Sequence, residues 1–272
     1  MSNEKLIIGA IIGDIIGSVY EWNNVKTIDF ELFSRKSTFT DDSVLTFATM
    51  YALLNKIGYK EAYQKFARKY PNRGYGGTFQ SWIYSENPEP YNSWGNGSAM
   101  RVSPIGWYGN NIEEVMIEAK KSADVTHNHV EGIKGAQSIA TAIYLARIGK
   151  NKDEIKEFIT ENFKYNLDRK LNDIRPEYRF DVSCQGSVPE AIIAFLESTD
   201  YENAIRLAIS LGGDSDTIAC ITGGIAEAYY KNIPEYIVKK IIKILPKEVI
   251  TIIEKFSKKY LIHENNTRLL YA

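Results

Sequence analysis

The chain has 272 residues, a length that suits one large domain or two small ones. Hydrophobic residues make up 44% and charged residues 25%, an ordinary globular composition that excludes a disordered chain. The 33 Lys and Arg balance 34 Asp and Glu to a net charge of −1, which excludes a non-specific nucleic-acid binder and makes any polyanion contact local.

Taken in chain order, the first apolar stretch, Leu6 to Ile16, is too short to span a bilayer and is broken by Asp14. It has neither a clean basic segment before it nor a small-residue cleavage site after it, so it does not read as a signal peptide. With only two cysteines, Cys184 and Cys220, and hence no disulfide framework, the expectation is a soluble cytoplasmic protein. Leu6 to Tyr20 reads as a helix whose glycines at 9, 13 and 17 line one face and admit a second backbone. Asp41 to Ile57 is the next helix, with Thr40 as its N-cap, and Tyr59 to Tyr70 follows. Pro71 to Gly97 is rich in Gly, Asn, Pro and aromatics, a loop around one short helix near Trp82.

Ala99 to Trp107, Ile112 to Ala123 and Val130 to Ile148 are three further helices. Asn151 with Glu154, and Ser187 with Glu190, match the capping-box spacing and start two more. Tyr165 to Gly186 carries neither helical nor strand periodicity and reads as a long structured loop. Asp200 caps Tyr201 to Leu211, and Asp216 to Tyr230 is a helix of small residues. Pro234 and Pro246 stand near the starts of the last two helices, where a missing N–H costs least. With no convincing strand and no repeat or linker, the expectation is one all-α domain over residues 1–272.

Two acidic clusters stand where helices begin: Thr40-Asp41-Asp42-Ser43, and Gly212-Gly213-Asp214-Ser215-Asp216-Thr217. Either alone is accounted for by N-capping and the helix dipole. Four carboxylates flanked by hydroxyls are also the oxygen donors that hard divalent cations take, and zinc does not favour such a set. Glu21, at the end of the glycine-striped helix, is either an exposed glutamate or a fifth carboxylate. In the second case five negative charges would repel unless two divalent ions balanced them, about 3.5–4 Å apart in a two-metal arrangement.

The loop Tyr91 to Arg101 opens a helix, so its backbone N–H groups suit a phosphate or an ordinary turn. Trp94 within it offers a stacking face for a base or ribose, or packs. His127 and His129 lack the third ligand a zinc site needs; His127 fits a hydrogen-bonding site role, and His129 with Glu131 a helix entry. His263 reads as a surface residue, and neither cysteine has a partner that suggests a nucleophile.

Together these segments resemble the ADP-ribosylglycohydrolase family, which includes the dinitrogenase-reductase-activating glycohydrolase and the ADP-ribosyl-acceptor hydrolases. The resemblance is carried by Gly9 to Glu21, Phe39 to Ser43, Gly95 to Arg101, Thr126-His127 and Gly212 to Ile218, in the family's order. It implies an all-α orthogonal helical bundle whose central cleft holds two magnesium or manganese ions. It implies Thr40, Asp41 and Asp42 as ligands of one ion and Asp214, Asp216 and Thr217 as ligands of the other, with Asp216 bridging and Glu21 a further ligand. Asn92, Ser93, Trp94, Gly95, Asn96 and Gly97 match the loop that holds the diphosphate and distal ribose, and His127 matches a substrate-contacting histidine. Ser43 replaces the commoner threonine.

The implied reaction is hydrolysis at C1″ of ADP-ribose, freeing a protein, nucleobase or small-molecule acceptor. Glu21 or Asp42 is the implied base for the attacking water. The rivals are a metal-free two-carboxylate glycosidase, a silent ADP-ribose-binding or structural protein on the same fold, and a binuclear phosphoesterase cutting the diphosphate.

Overall fold

The structure, a computed structural model, describes residues 5–268, with side chains through Leu261. It is all-helical. In chain order the helices are α1 (Gly9–Gly17), α2 (Asp41–Asn55), α3 (Tyr59–Lys69), α4 (Gly77–Tyr84) and α5 (Gly97–Met100). They continue with α6 (Ser103–Tyr108), α7 (Ile112–Asp124), α8 (Val130–Arg147), α9 (Lys152–Phe163) and α10 (Leu171–Ile174). The last five are α11 (Cys184–Glu197), α12 (Tyr201–Ser210), α13 (Ser215–Tyr230), α14 (Glu235–Ile242) and α15 (Lys247–Arg268). Among the described residues the only β-type pairing is an isolated bridge between Gly95 and Ser183. No helix there is long and apolar enough to cross a membrane.

At the centre α1 lies along α13, and α8, α11 and α12 pack around α13. Every residue of α1 is buried, as is α13 from Ser215 to Ala228. Helices without a polar face belong at the middle of a bundle. Their close approach depends on the glycine stripe. A Cβ on Gly13 would run into the Ala219 carbonyl, and one on Gly17 would lie 2.5 Å from Asp216 Cα. This contact brings the end of α1 beside the first turn of α13.

Several boundaries differ from the sequence expectation, each for a tertiary reason. The first helix begins at Gly9 rather than Leu6, because Glu227 of α13 takes the Ile8 N–H (2.8 Å) and caps it from outside. The expected helix Ala99 to Trp107 is broken at Arg101 and Val102 into α5 and α6. Pro104 cannot donate to the Met100 carbonyl, which accepts instead from Thr46 Oγ1 (3.4 Å) and Cys220 Sγ (3.3 Å). The expected capping box at Ser187 and Glu190 is also corrected. The helix starts at Cys184 with Ser183 as N-cap, Ser187 is buried inside it, and Glu190 pairs with Arg169 at 2.6 Å. The loop Tyr165 to Gly186 contains the one-turn α10. By contrast, Thr40 and Asn151 cap their helices as their sequences indicate, the latter with a complete box to Glu154. The side chain of His263 lies outside the described residues.

Candidate active site

The first turn of α2 is fixed by a residue of α1. Asp14 is fully buried, and its Oδ2 accepts the N–H groups of Thr40 (2.9 Å) and Ser43 (3.0 Å) and the Ser43 hydroxyl. Its Oδ1 accepts the Thr40 hydroxyl at 2.6 Å. A carboxylate so placed satisfies orphan donors and complements the helix dipole. With both oxygens engaged, Asp14 anchors α2 and leaves Asp41 and Asp42 to face the cleft. Sequence reasoning did not put Asp14 forward; a lone Asp in a wholly apolar helix was the signal available.

Asp42 is buried and receives the Thr217 hydroxyl of α13 on Oδ2 at 3.3 Å. Thr40 Oγ1 is also 3.3 Å from Asp42 Oδ2, yet its single proton goes to the nearer Asp14. Asp42 Oδ1 is buried with no hydrogen bond of ordinary geometry. Such an oxygen is costly unless a cation or a proton meets it.

The loop before α13 supplies the opposite wall. Gly212 and Gly213 have φ of +71° and +70°, where a side chain is strained, and Asn24 holds Gly213 through both its N–H (2.8 Å) and its carbonyl (3.0 Å). Asp214 follows, and its Oδ2 accepts the Asn96 amide at 2.6 Å. Carboxylate oxygens of Asp14, Asp42 and Asp216 lie within 4.8 Å of one another, as do those of Glu21, Asp214 and Asp216. Asp216 belongs to both groups. Asp41 lies in neither, although it lines the same cleft.

The electrostatics follow from this crowding. Burial first, then neighbouring carboxylates, holds Asp41, Asp42 and Asp216 well above the usual carboxylate range. Burial raises Asp214 against the lowering hydrogen bond from Asn96. Glu21 is half-buried and is pushed up to about 7 by burial and by Asp214. Removing oxygen-rich groups from water while keeping them charged needs positive charge nearby. The donor set, all carboxylate and hydroxyl, suits hard divalent cations.

The carboxylates open into a cleft of about 600 Å³. Tyr91, Ser93, Gly95, Asn96, Gly97 and His127 line it. The loop is itself tied down: Tyr91 and Ser93 donate to the Thr126 carbonyl (3.3 and 3.4 Å), and Asn92 donates to Asn128 (2.8 Å). Gly95 N–H goes to Ser93 Oγ (3.1 Å) and Asn96 N–H to the Val182 carbonyl (2.7 Å), so these groups do not face a ligand. The Asn96 side chain likewise serves Asp214 and Ser187 (3.0 Å).

Trp94 stands apart from its neighbours in the loop. It is 54% exposed, its ring lies 5.6 Å from that of His129, and neither it nor Asn92 lines the cleft. The exposed aromatic face at the cleft belongs instead to Trp22 and Phe180, stacked at 5.1 Å with planes 23° apart. Sequence reasoning missed both. They come from separate loops, and nothing local marks either as a platform.

The profile of the family described as ADP-ribosylglycohydrolase matches residues 4–266, nearly the whole chain. The chain belongs to the ADP-ribosylglycohydrolase family. Among curated relatives, the ADP-ribosylhydrolase ARH3 of Mus musculus is 28% identical, covering 84% of each chain. That of Homo sapiens is 29% identical over 82% of this chain and 83% of its own. A solved structure titled ADP-ribosylglycohydrolase-related protein complex superposes with a TM-score of 0.71 at 21% identity, over 93% of this chain and 95% of that one. At that identity the superposition speaks for the all-helical fold. Family membership supports a glycohydrolase enzyme.

Proposed function

We propose that this ADP-ribosylglycohydrolase cleaves the bond between C1″ of the distal ribose of ADP-ribose and an acceptor, in a cleft that holds two magnesium or manganese ions. The observation that carries the reading is Asp216, common to both carboxylate groups, beside Asp42 Oδ1, buried with no hydrogen bond of ordinary geometry. Asp42, Thr40 and Asp41 would hold one ion, and Asp214, Thr217 and Glu21 the other, with Asp216 between them. Such ions, when bound, supply Lewis acidity and a template that orients ribose hydroxyls.

The chain's own groups supply the rest. Glu21, half-buried at the cleft, is the first candidate for the base that takes the proton from the water attacking C1″. Asp42 is the second candidate for that role. As the acceptor departs, positive charge grows on the ribose ring, and a wall of carboxylates stabilises it. Asn96 keeps Asp214 in register, and Asp14 does the same for the first turn of α2. Trp22 and Phe180 offer a flat apolar face for the adenine.

Incubation with defined ADP-ribosylated acceptors — arginine, serine, a nucleobase and a small molecule — tests the reaction and identifies the acceptor class. Release of intact ADP-ribose is expected; AMP as the sole product would mean diphosphate cleavage and reject the proposal. Chelation should abolish turnover, with magnesium or manganese restoring it and zinc doing so poorly. Full activity in metal-free buffer would reject the metal centre.

A further inference from the structure

Among the described residues Arg101 is the largest fully buried side chain; its guanidinium lies over the Tyr63 ring (4.4 Å), and its Nε and Nη1 have no hydrogen-bond partner. Its Nη2 donates to the Ser122 carbonyl (2.8 Å) and to Thr126 Oγ1 (2.9 Å). Thr126 Oγ1, itself fully buried, lies 2.7 Å from His127 Nδ1. A guanidinium only donates, so it makes the threonine oxygen an acceptor. The hydroxyl proton then has one acceptor in reach, the bare Nδ1 of His127. Were Nδ1 protonated instead, the Thr126 proton would be buried without a partner, a costly arrangement.

The other ring nitrogen points the opposite way. A Cβ on Gly97 would lie 3.1 Å from His127 Nε2, and one on Gly95 would lie 3.5 Å from it. Glycine at both positions leaves Nε2 access to the cleft that His127 lines. We propose that Arg101 and Thr126 are positioning residues: through one shared hydroxyl they hold His127 as the Nε2–H tautomer, a neutral donor aimed at an oxygen of the bound ligand. Burial and the nearby guanidinium also hold the His127 pKa well below its ordinary value, which keeps the ring neutral. The ligand part rests on the cleft being the ADP-ribose site. The phosphate and hydroxyl oxygens of that ligand are acceptors for such a donor.

Long-range ¹H–¹⁵N spectra of the full-length protein, with the His127 signals assigned by His127→Gln, read the tautomer directly. The wild-type protein should show a bare, hydrogen-bonded Nδ1 and a protonated Nε2. Thr126→Val removes the hydroxyl at nearly constant shape; it should spread His127 over both tautomers and raise the ADP-ribose dissociation constant about tenfold. Thr126→Ser should restore both readings, which a purely structural role for the threonine methyl would not do. A wild-type spectrum with Nδ1 protonated overturns the relay, and needs no variant to fold. So does a valine variant that keeps the single tautomer, or one that changes it yet binds ADP-ribose as the wild type does. If the wild-type protein shows the Nε2–H tautomer but binds no ADP-ribose, the reading of the cleft fails while the relay stands.

Discussion

At the scale of single residues, Asp216 and Asp41 make different demands on the site although both are aspartates in a helix's first turn. Asp216 reaches both carboxylate groups, whereas Asp41 reaches neither. Neutralising a shared carboxylate weakens two ions together, so Asp216→Asn should lose more metal affinity than Asp41→Asn in calorimetric titration. Equal losses would reject the bridging role. The aromatic residues divide similarly. Trp22→Ala or Phe180→Ala should each weaken ADP-ribose binding about 5- to 150-fold, the loss of about 1–3 kcal/mol of stacking. Trp94→Ala should change it less than about twofold, because that ring faces His129 outside the cleft. A larger loss from Trp94 than from Trp22 would reverse this assignment. The sequence singles out Trp94 because Asn92, Ser93, Gly95 and Gly97 offer it few apolar partners; it contains no cue that two distant loops would stack Trp22 on Phe180.

Between elements, the contact of α1 with α13 sets the geometry of the whole site. Glu21 and Asp14 belong to or follow one helix, and Asp214 and Asp216 open the other. The glycine stripe was legible in the sequence as a surface for backbone approach, since a spacing of four repeats on one helix face. Its partner was not, because a stripe specifies closeness and not identity. Gly13→Ala would press a methyl into the Ala219 carbonyl, with no flexible side chain to yield. Overpacking of this kind costs about 1–3 kcal/mol or more and, at about 2 °C per kcal/mol for a chain of this size, should lower the melting temperature by roughly 2–6 °C or more. Gly77→Ala, with open space around its Cβ, is the control and should shift it by less than about 2 °C. Matching melting temperatures for the two variants would show that the helices can part without loss.

For the molecule as a whole, Glu227 links the central contact to pH. It is buried, accepts the Ile8 N–H, and is pushed up to about 8 by burial against the lowering effect of the backbone donors at Ile8 and Gly9. A carboxyl raised in the folded state binds its proton more tightly there than in the unfolded chain. Its contribution to stability is therefore full below its ordinary value, near 4.5, and is lost as pH rises through about 8. Glu227→Gln keeps an acceptor for Ile8 and cannot ionise. Melted across pH in chelator, it should match the wild type near pH 5 and exceed it near pH 9. A gap that stays constant with pH would mean that the glutamate is charged throughout.

The sequence by itself determined most of the helices, because their hydrogen-bond periods, caps and breakers are recorded in adjacent residues. Thr40 and the Asn151–Glu154 box are two such caps. It also determined the acidic and glycine motifs by which the family is identified. The tertiary structure alone decided which carboxylates meet, that Asp14 anchors the first turn of α2, that the Asn96 amide donates to Asp214, and that Ser183 displaces Ser187 as a cap. Those outcomes depend on how elements distant in the chain are registered against each other. No local period encodes that register; it is set by the packing of buried backbones at Gly9, Gly13 and Gly17 against α13.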